Sequence, residues 1–166
     1  MDCIMMNSPC FEAAYSRLLL VPYDAFVIFS HYYSEADAAI LYNLMVQNVI
    51  TKRNLMDALI ARDGVAATAT LEQWRRNNEI LADQYASMNP YWTKEQWNSL
   101  LDRDMQLKYQ QMLALITGEC PRTFDIFDRV KAQAVLIGDY QARGIMRGLR
   151  SIQETLDGLP NASTGS

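Results

Sequence analysis

Apolar residues recur along this chain at intervals of three and four, the period that gathers them on one face of a helix. Leu71, Trp74, Asn78, Leu81, Tyr85 and Met88 form one such series, and Trp97, Leu101, Met105, Met112 and Ile116 form another. A third opens with Phe124, Phe127, Val130, Ala134 and Ile137 and resumes nearly in phase with Ile145, Leu149, Ile152 and Leu156. The near agreement in phase predicts one long helix that Gly138 and Asp139 can bend. From Glu35 to Arg62 there is neither Gly nor Pro, and Ala38, Ile40, Leu41, Leu44, Met45 and Val49 leave little polar surface. That stretch reads as a central, buried helix. Strand signals are weak: no stretch alternates strictly, and Val21 to Ser30 is the one plausible strand.

Helix punctuation agrees with the periodicity. Ser8-Pro9 suits a helix start, and the first helical region runs from about Cys10 to Tyr33, bent or broken at Pro22. Ser34-Glu-Ala-Asp37 resembles a capping box with Asp in the last place. Asp63-Gly64 is expected to end the central helix, through a left-handed glycine. Thr70-Leu-Glu-Gln73 and Thr93-Lys-Glu-Gln96 are regular capping boxes, so the next helices are predicted to start there. Asn89-Pro90 stops one of them, and Gly118 and Pro121 stop the other. The last helix is expected from about Thr123. The connections near residues 63–69, 89–93 and 117–122 are short, which makes consecutive helices antiparallel neighbours. The predicted fold is therefore all-α, an up-down bundle of four long helices plus a Pro-interrupted N-terminal helical segment. One domain spans 1–158, and the Pro-, Asn-, Ser- and Gly-bearing tail 159–166 reads as disordered.

Composition adds bounds. With 166 residues, half of them hydrophobic and 20% charged, the chain is long enough to bury a core without staples. A net charge of -4 disfavours nucleic acid and anionic membranes as bulk-charge partners. Leu18 to Phe29 is the most apolar run, and with Pro22 and Asp24 inside it is too short to span a bilayer. No transmembrane segment is expected, and the opening Met-Asp-Cys-Ile lacks the basic region of a signal peptide. Cys3, Cys10 and Cys120 are odd in number and widely spaced, against a disulfide framework or zinc module. A reducing, cytoplasmic setting follows as the expectation.

Catalytic chemistry is poorly supplied. His31 is the lone histidine, with Asp24 and Glu35 within two helical turns and Tyr32 and Tyr33 beside it. Such a histidine serves as a base only with a nucleophile or acid at hand. No Glu-x-x-His pair, no second histidine and no glycine-rich phosphate loop occurs, so no metal, no cofactor and no enzyme is expected.

Three features remain. Tyr85, Met88, Tyr91, Trp92 and Trp97 crowd the connection between the second and third long helices, as aromatic binding hot spots do, or as a plug closing the bundle. Arg143, Arg147 and Arg150 fall on one face of the last helix, suited to an acidic partner surface or simply solvated. Gly144 and Gly148 on that helix allow close approach, by another part of the chain or by a second copy in a homodimer. These features suggest a non-enzymatic interaction module (an adaptor, inhibitor or regulatory subunit) whose partner is another protein. The alternative is a small-molecule-sensing bundle with an internal polar site at Asn48 and Asn78, because Asn78 interrupts an otherwise apolar seam.

Overall fold

The computed structural model describes residues 9–157, apart from the side chains of residues 9–12, 14, 120 and 156. Ser8, Cys3 and the tail 159–166 lie outside the described residues, as do the side chains of Cys10 and Cys120. Six α-helices make up the described chain: α1 (Pro9–Leu18), α2 (Leu20–Phe29), α3 (Glu35–Ile60), α4 (Gly64–Met88), α5 (Lys94–Ile116) and α6 (Cys120–Asp157). The last four are the long helices of the predicted bundle. Each packs on its chain neighbour, α3 also meets α5, and α2 lies along α3.

Helix starts follow the side chains that satisfy the free N–H groups of the first turn. Ser34 Oγ accepts from Asp37 N (3.1 Å) at α3, and Thr93 Oγ1 accepts from Gln96 N (3.2 Å) at α5. The start of α4 is a correction. Asp63 caps it, its Oδ1 accepting from Val65 N and Ala66 N, so Gly64 opens α4 instead of closing α3. Thr70 therefore lies inside the helix, its hydroxyl donating to Ala66 O (2.8 Å). The left-handed residue closing α3 is Arg62, at φ 56°. Its N–H meets Leu59 O, and Asp63 N meets Ala58 O, the paired bonds of a Schellman ending. Gly118 (φ 73°) closes α5 in the same way, with Glu119 N on Ala114 O.

Pro22 acts upstream of itself. Its ring is incompatible with a helical carbonyl four residues back, so the chain breaks at Leu19 and Pro22 sits in the first turn of α2. There its missing N–H needs no acceptor.

Two apolar clusters fill the bundle. One gathers Phe29, Leu41, Leu81, Tyr85, Trp92 and Trp97 at one end, and the other gathers Leu55, Ala67 and Trp74 toward the opposite end. Buried asparagines lie between them. Asn48 Nδ2 donates to Asn78 Oδ1 (2.9 Å), Asn78 Nδ2 leans on Leu101 O (3.4 Å), and Asn77 Nδ2 reaches Leu44 O (3.2 Å).

At 38 residues, α6 is about 57 Å long, against about 34 Å for the 23 residues of α5. Its last turns therefore run past the start of α5 and over the α4–α5 connection. The covered face carries Ile126, Val130, Gln133, Ile137, Tyr140 and Gly144. Phe124 and Phe127, expected in the seam, are exposed. Gly144 sets this phase: a Cβ there would run into the indole of Trp92, so only this glycine lets the corner seat against α6.

Candidate functional site

The α4–α5 connection, residues 89–93, is a tightly tied corner. Asn89 Oδ1 accepts from Tyr91 N (2.9 Å), Trp92 N donates to Asn89 O (3.0 Å), and Asn89 Nδ2 donates to the Tyr33 hydroxyl (2.7 Å). From α6, the Tyr140 hydroxyl accepts from Thr93 N (2.9 Å), and Tyr140 O accepts from Trp92 Nε1 (3.1 Å). Five hydrogen bonds, two within the turn, one to Tyr33 between α2 and α3 and two to Tyr140 of α6, thus fix the corner.

Of the aromatic residues expected to meet a partner, three are core. Trp92 is 3% exposed, Tyr85 3% and Trp97 0%. Tyr85 and Trp97 stack with centroids 3.9 Å apart, and Trp92 stands edge-on to both. The Tyr85 hydroxyl accepts from Gln141 Nε2 (3.0 Å), and burial drives its pKa well up. They are the plug that closes this end of the bundle. The wedge they form turns Tyr91 outward, 37% exposed.

Tyr91 divides two concavities. On one side is a groove of about 330 Å³ between the α2–α3 turn and the overhang of α6, walled by Tyr32, Met88, Pro90, Leu149 and Ile152. On the other is a polar pocket of about 250 Å³, lined by Tyr91, Gln96, Tyr140, Arg143, Gly144 and Arg147. The aromatic corner and the arginine stripe, separate in the sequence, therefore share Tyr91. Arg143 Nε donates to Asp139 O within its own helix (3.2 Å), and no carboxylate pairs with Arg143 or Arg147 among the described residues. Arg150 is exposed one turn on, outside the pocket. Gly144 is occupied by Trp92 of the same chain, whereas Gly148 lines the groove with Asn89 Nδ2 as its nearest neighbour at 3.8 Å.

Elsewhere the expected groups are arranged as follows. Asn48 and Asn78 direct their amides at each other and at the backbone, the arrangement that fixes helix register. His31 is exposed, its Nδ1 donating to Val27 O (2.6 Å). Among the described residues no three His, Cys, Asp or Glu side chains converge on a metal-sized site, and no helix is long and apolar enough to cross a membrane. Gln96 and Tyr140 join the site without a local sequence signal: Gln96 ends a capping box, and no local pattern shows that a tyrosine 47 residues away holds the corner's backbone.

Compared with known protein families, with curated proteins and with solved structures, the chain matches none of them.

Proposed function

We propose that this protein is a non-enzymatic interaction module, and that it receives an acidic, amphipathic segment of a partner protein at the α4–α5 corner. The supporting observation is the juxtaposition at Tyr91. Two guanidinium groups without carboxylate partners stand one helical turn apart beside an apolar groove, on a chain of net charge -4. Arginine forks bind carboxylates in pairs, and a rigid half-exposed tyrosine contributes area at small entropic cost. Gln96 and the Tyr140 side chain add polar groups at the pocket edge. The buried plug beneath keeps this surface preorganised, which lowers the ordering cost of binding.

The test is affinity capture with isotope-ratio readout, comparing wild type with the double variant Arg143→Glu, Arg147→Glu and with Tyr91→Ala. Both variants are expected to lose a specific partner about tenfold or more, while circular dichroism and Tm stay put. A Lys131→Glu variant, changed on an exposed charge of α6 outside the pocket, should retain it. A partner captured equally by all four proteins would refute this placement.

A further inference from the structure

Helix α6 packs along α5 with one face and leaves another face bare. On the bare face Phe124, Val135, Met146 and Ile152 are 60–71% exposed, and Phe127 and Leu149 are 44–48% exposed. Ala134, Gly138 and Ala142, also exposed, fall on the same side of a helix that turns about 100° per residue. Lys131 lies within this stripe. Its ammonium is drawn to Asp128 (3.4 Å) and stands over the Phe127 ring (5.6 Å), so its stem adds to the apolar surface. Monomeric proteins seldom expose so long an apolar face.

The stripe repeats its size pattern about Gly138. Phe124 and Ile152 lie fourteen residues before and after it, Phe127 and Leu149 eleven, and Ala134 and Ala142 four. Bulky side chains thus stand at both ends and small ones at the centre. Packing within the chain does not ask for this glycine: nothing lies within 4 Å of where its Cβ would stand, and glycine weakens a helix interior. Charge is distributed the opposite way. Asp125 and Asp128 precede Gly138 and Arg150 follows it, on the same flank of the stripe. Size that is symmetric and charge that is antisymmetric about one point make a face complementary to itself under a two-fold rotation.

We propose that this face pairs with a second copy of the chain, α6 against α6 and antiparallel, across a two-fold axis at Gly138. Phe124 of one copy then meets Ile152 of the other, and Phe127 meets Leu149. The small residues let the two backbones close in at the middle, and Asp125 and Asp128 come beside Arg150 of the second copy. Each face is about 42 Å long and about 10 Å wide. Two of them bury on the order of 1,000 Å², the lower limit of a specific interface, which suits a dimer of micromolar affinity. This pairing goes beyond the docking of a partner at the corner. Leu149 and Ile152 also wall the groove there, so the second copy borders it. Arg143 and Arg147 point about 140° and 180° away from Gly138 around the helix, so their pocket stays open.

Sedimentation equilibrium of the intact chain from about 1 to 200 µM should show a reversible monomer–dimer equilibrium with a midpoint on the order of 10 µM. Phe127→Glu should weaken the dimer about tenfold or more at unchanged circular dichroism. The double variant Arg143→Glu, Arg147→Glu should dimerise as wild type does, which separates this face from the corner. Disulfide trapping, in a chain whose Cys3, Cys10 and Cys120 are replaced by Ser, reads the geometry. Gly138→Cys should oxidise to a covalent dimer, because its two copies meet at the axis. Phe124→Cys should not, because its copies lie about 42 Å apart in an antiparallel pair. A chain monomeric throughout that range would overturn the proposal. So would a dimer that Phe127→Glu leaves intact or the arginine reversal abolishes, or self-linking by Phe124→Cys.

Discussion

Two glycines four residues apart have opposite roles. A methyl at Gly144 would collide with the Trp92 indole, which cannot withdraw because Nε1 is bonded to Tyr140 O and the ring is packed by Tyr85 and Trp97. Gly144→Ala should therefore destabilise the fold by about 1–3 kcal/mol, the usual range for overpacking. At Gly148 the added methyl meets only the Asn89 amide, 3.8 Å away. Gly148→Ala should be neutral or stabilising by up to about 1 kcal/mol, from helix propensity alone. Urea denaturation of the two variants checks both signs, and a Gly144→Ala protein as stable as wild type would mean the corner is not seated as described. A glycine pair was legible in the sequence. That Trp92 fills one member of it was not, because the two residues are 52 positions apart and no local pattern reports their contact.

Helices were the most legible level. Their apolar spacing and the caps at Ser34 and Thr93 read directly into α3 and α5. The misplaced boundaries share one physical source: two local signals competed and the stronger lay nearby. Asp63 outcompetes Thr70 as a cap because it directly follows a Schellman ending, so α4 begins without a loop. That ending puts Arg62 in left-handed geometry, which costs a residue with a Cβ about 1 kcal/mol. Arg62→Gly should relieve it and raise stability by roughly 0.5–1 kcal/mol, after the larger backbone entropy of glycine in the unfolded chain is subtracted. Thermal unfolding would show a Tm increase of a few degrees, and a decrease would mean that the Arg62 side chain makes a stabilising contact. The rotation of α6 was the harder reading. Its apolar residues cover more than half a turn, so periodicity fixed a helix without fixing which part of that arc faces α5.

At the scale of the whole molecule, the ends of the bundle differ. The corner end is a dense aromatic plug beneath a mixed polar and apolar surface, whereas the α1 end contains a desolvated amine. Lys52 titrates near pH 7 in the fold and near 10.5 as an ordinary lysine. Between those values the unfolded chain binds more protons, so this group makes stability rise with pH across that window. Below about pH 7 its full charging penalty is present. Lys52→Met should thus unfold at a higher temperature than wild type at pH 6, and the difference should shrink toward pH 10. An equal difference at both pH values would mean that Lys52 is not desolvated. The corner was half legible. Tyr91, Arg143 and Arg147 were visible as candidates, but their convergence depends on α6 extending beyond α5, a matter of relative helix length and register. The same packing withdrew Tyr85, Trp92 and Trp97 into the core.

The central claim is that a partner protein docks between Tyr91 and the Arg143–Arg147 pair. The most direct measurement places a photo-crosslinking amino acid at Gln96, inside the arginine-lined pocket, and at Glu72, exposed on α4, in otherwise native protein. Irradiation in native extract should give a discrete protein adduct from position 96 and none from position 72. The adduct should vanish when Arg143 and Arg147 are both changed to Glu. Equal crosslinking from the two positions, or an adduct at 96 that survives the charge reversal, would contradict the account.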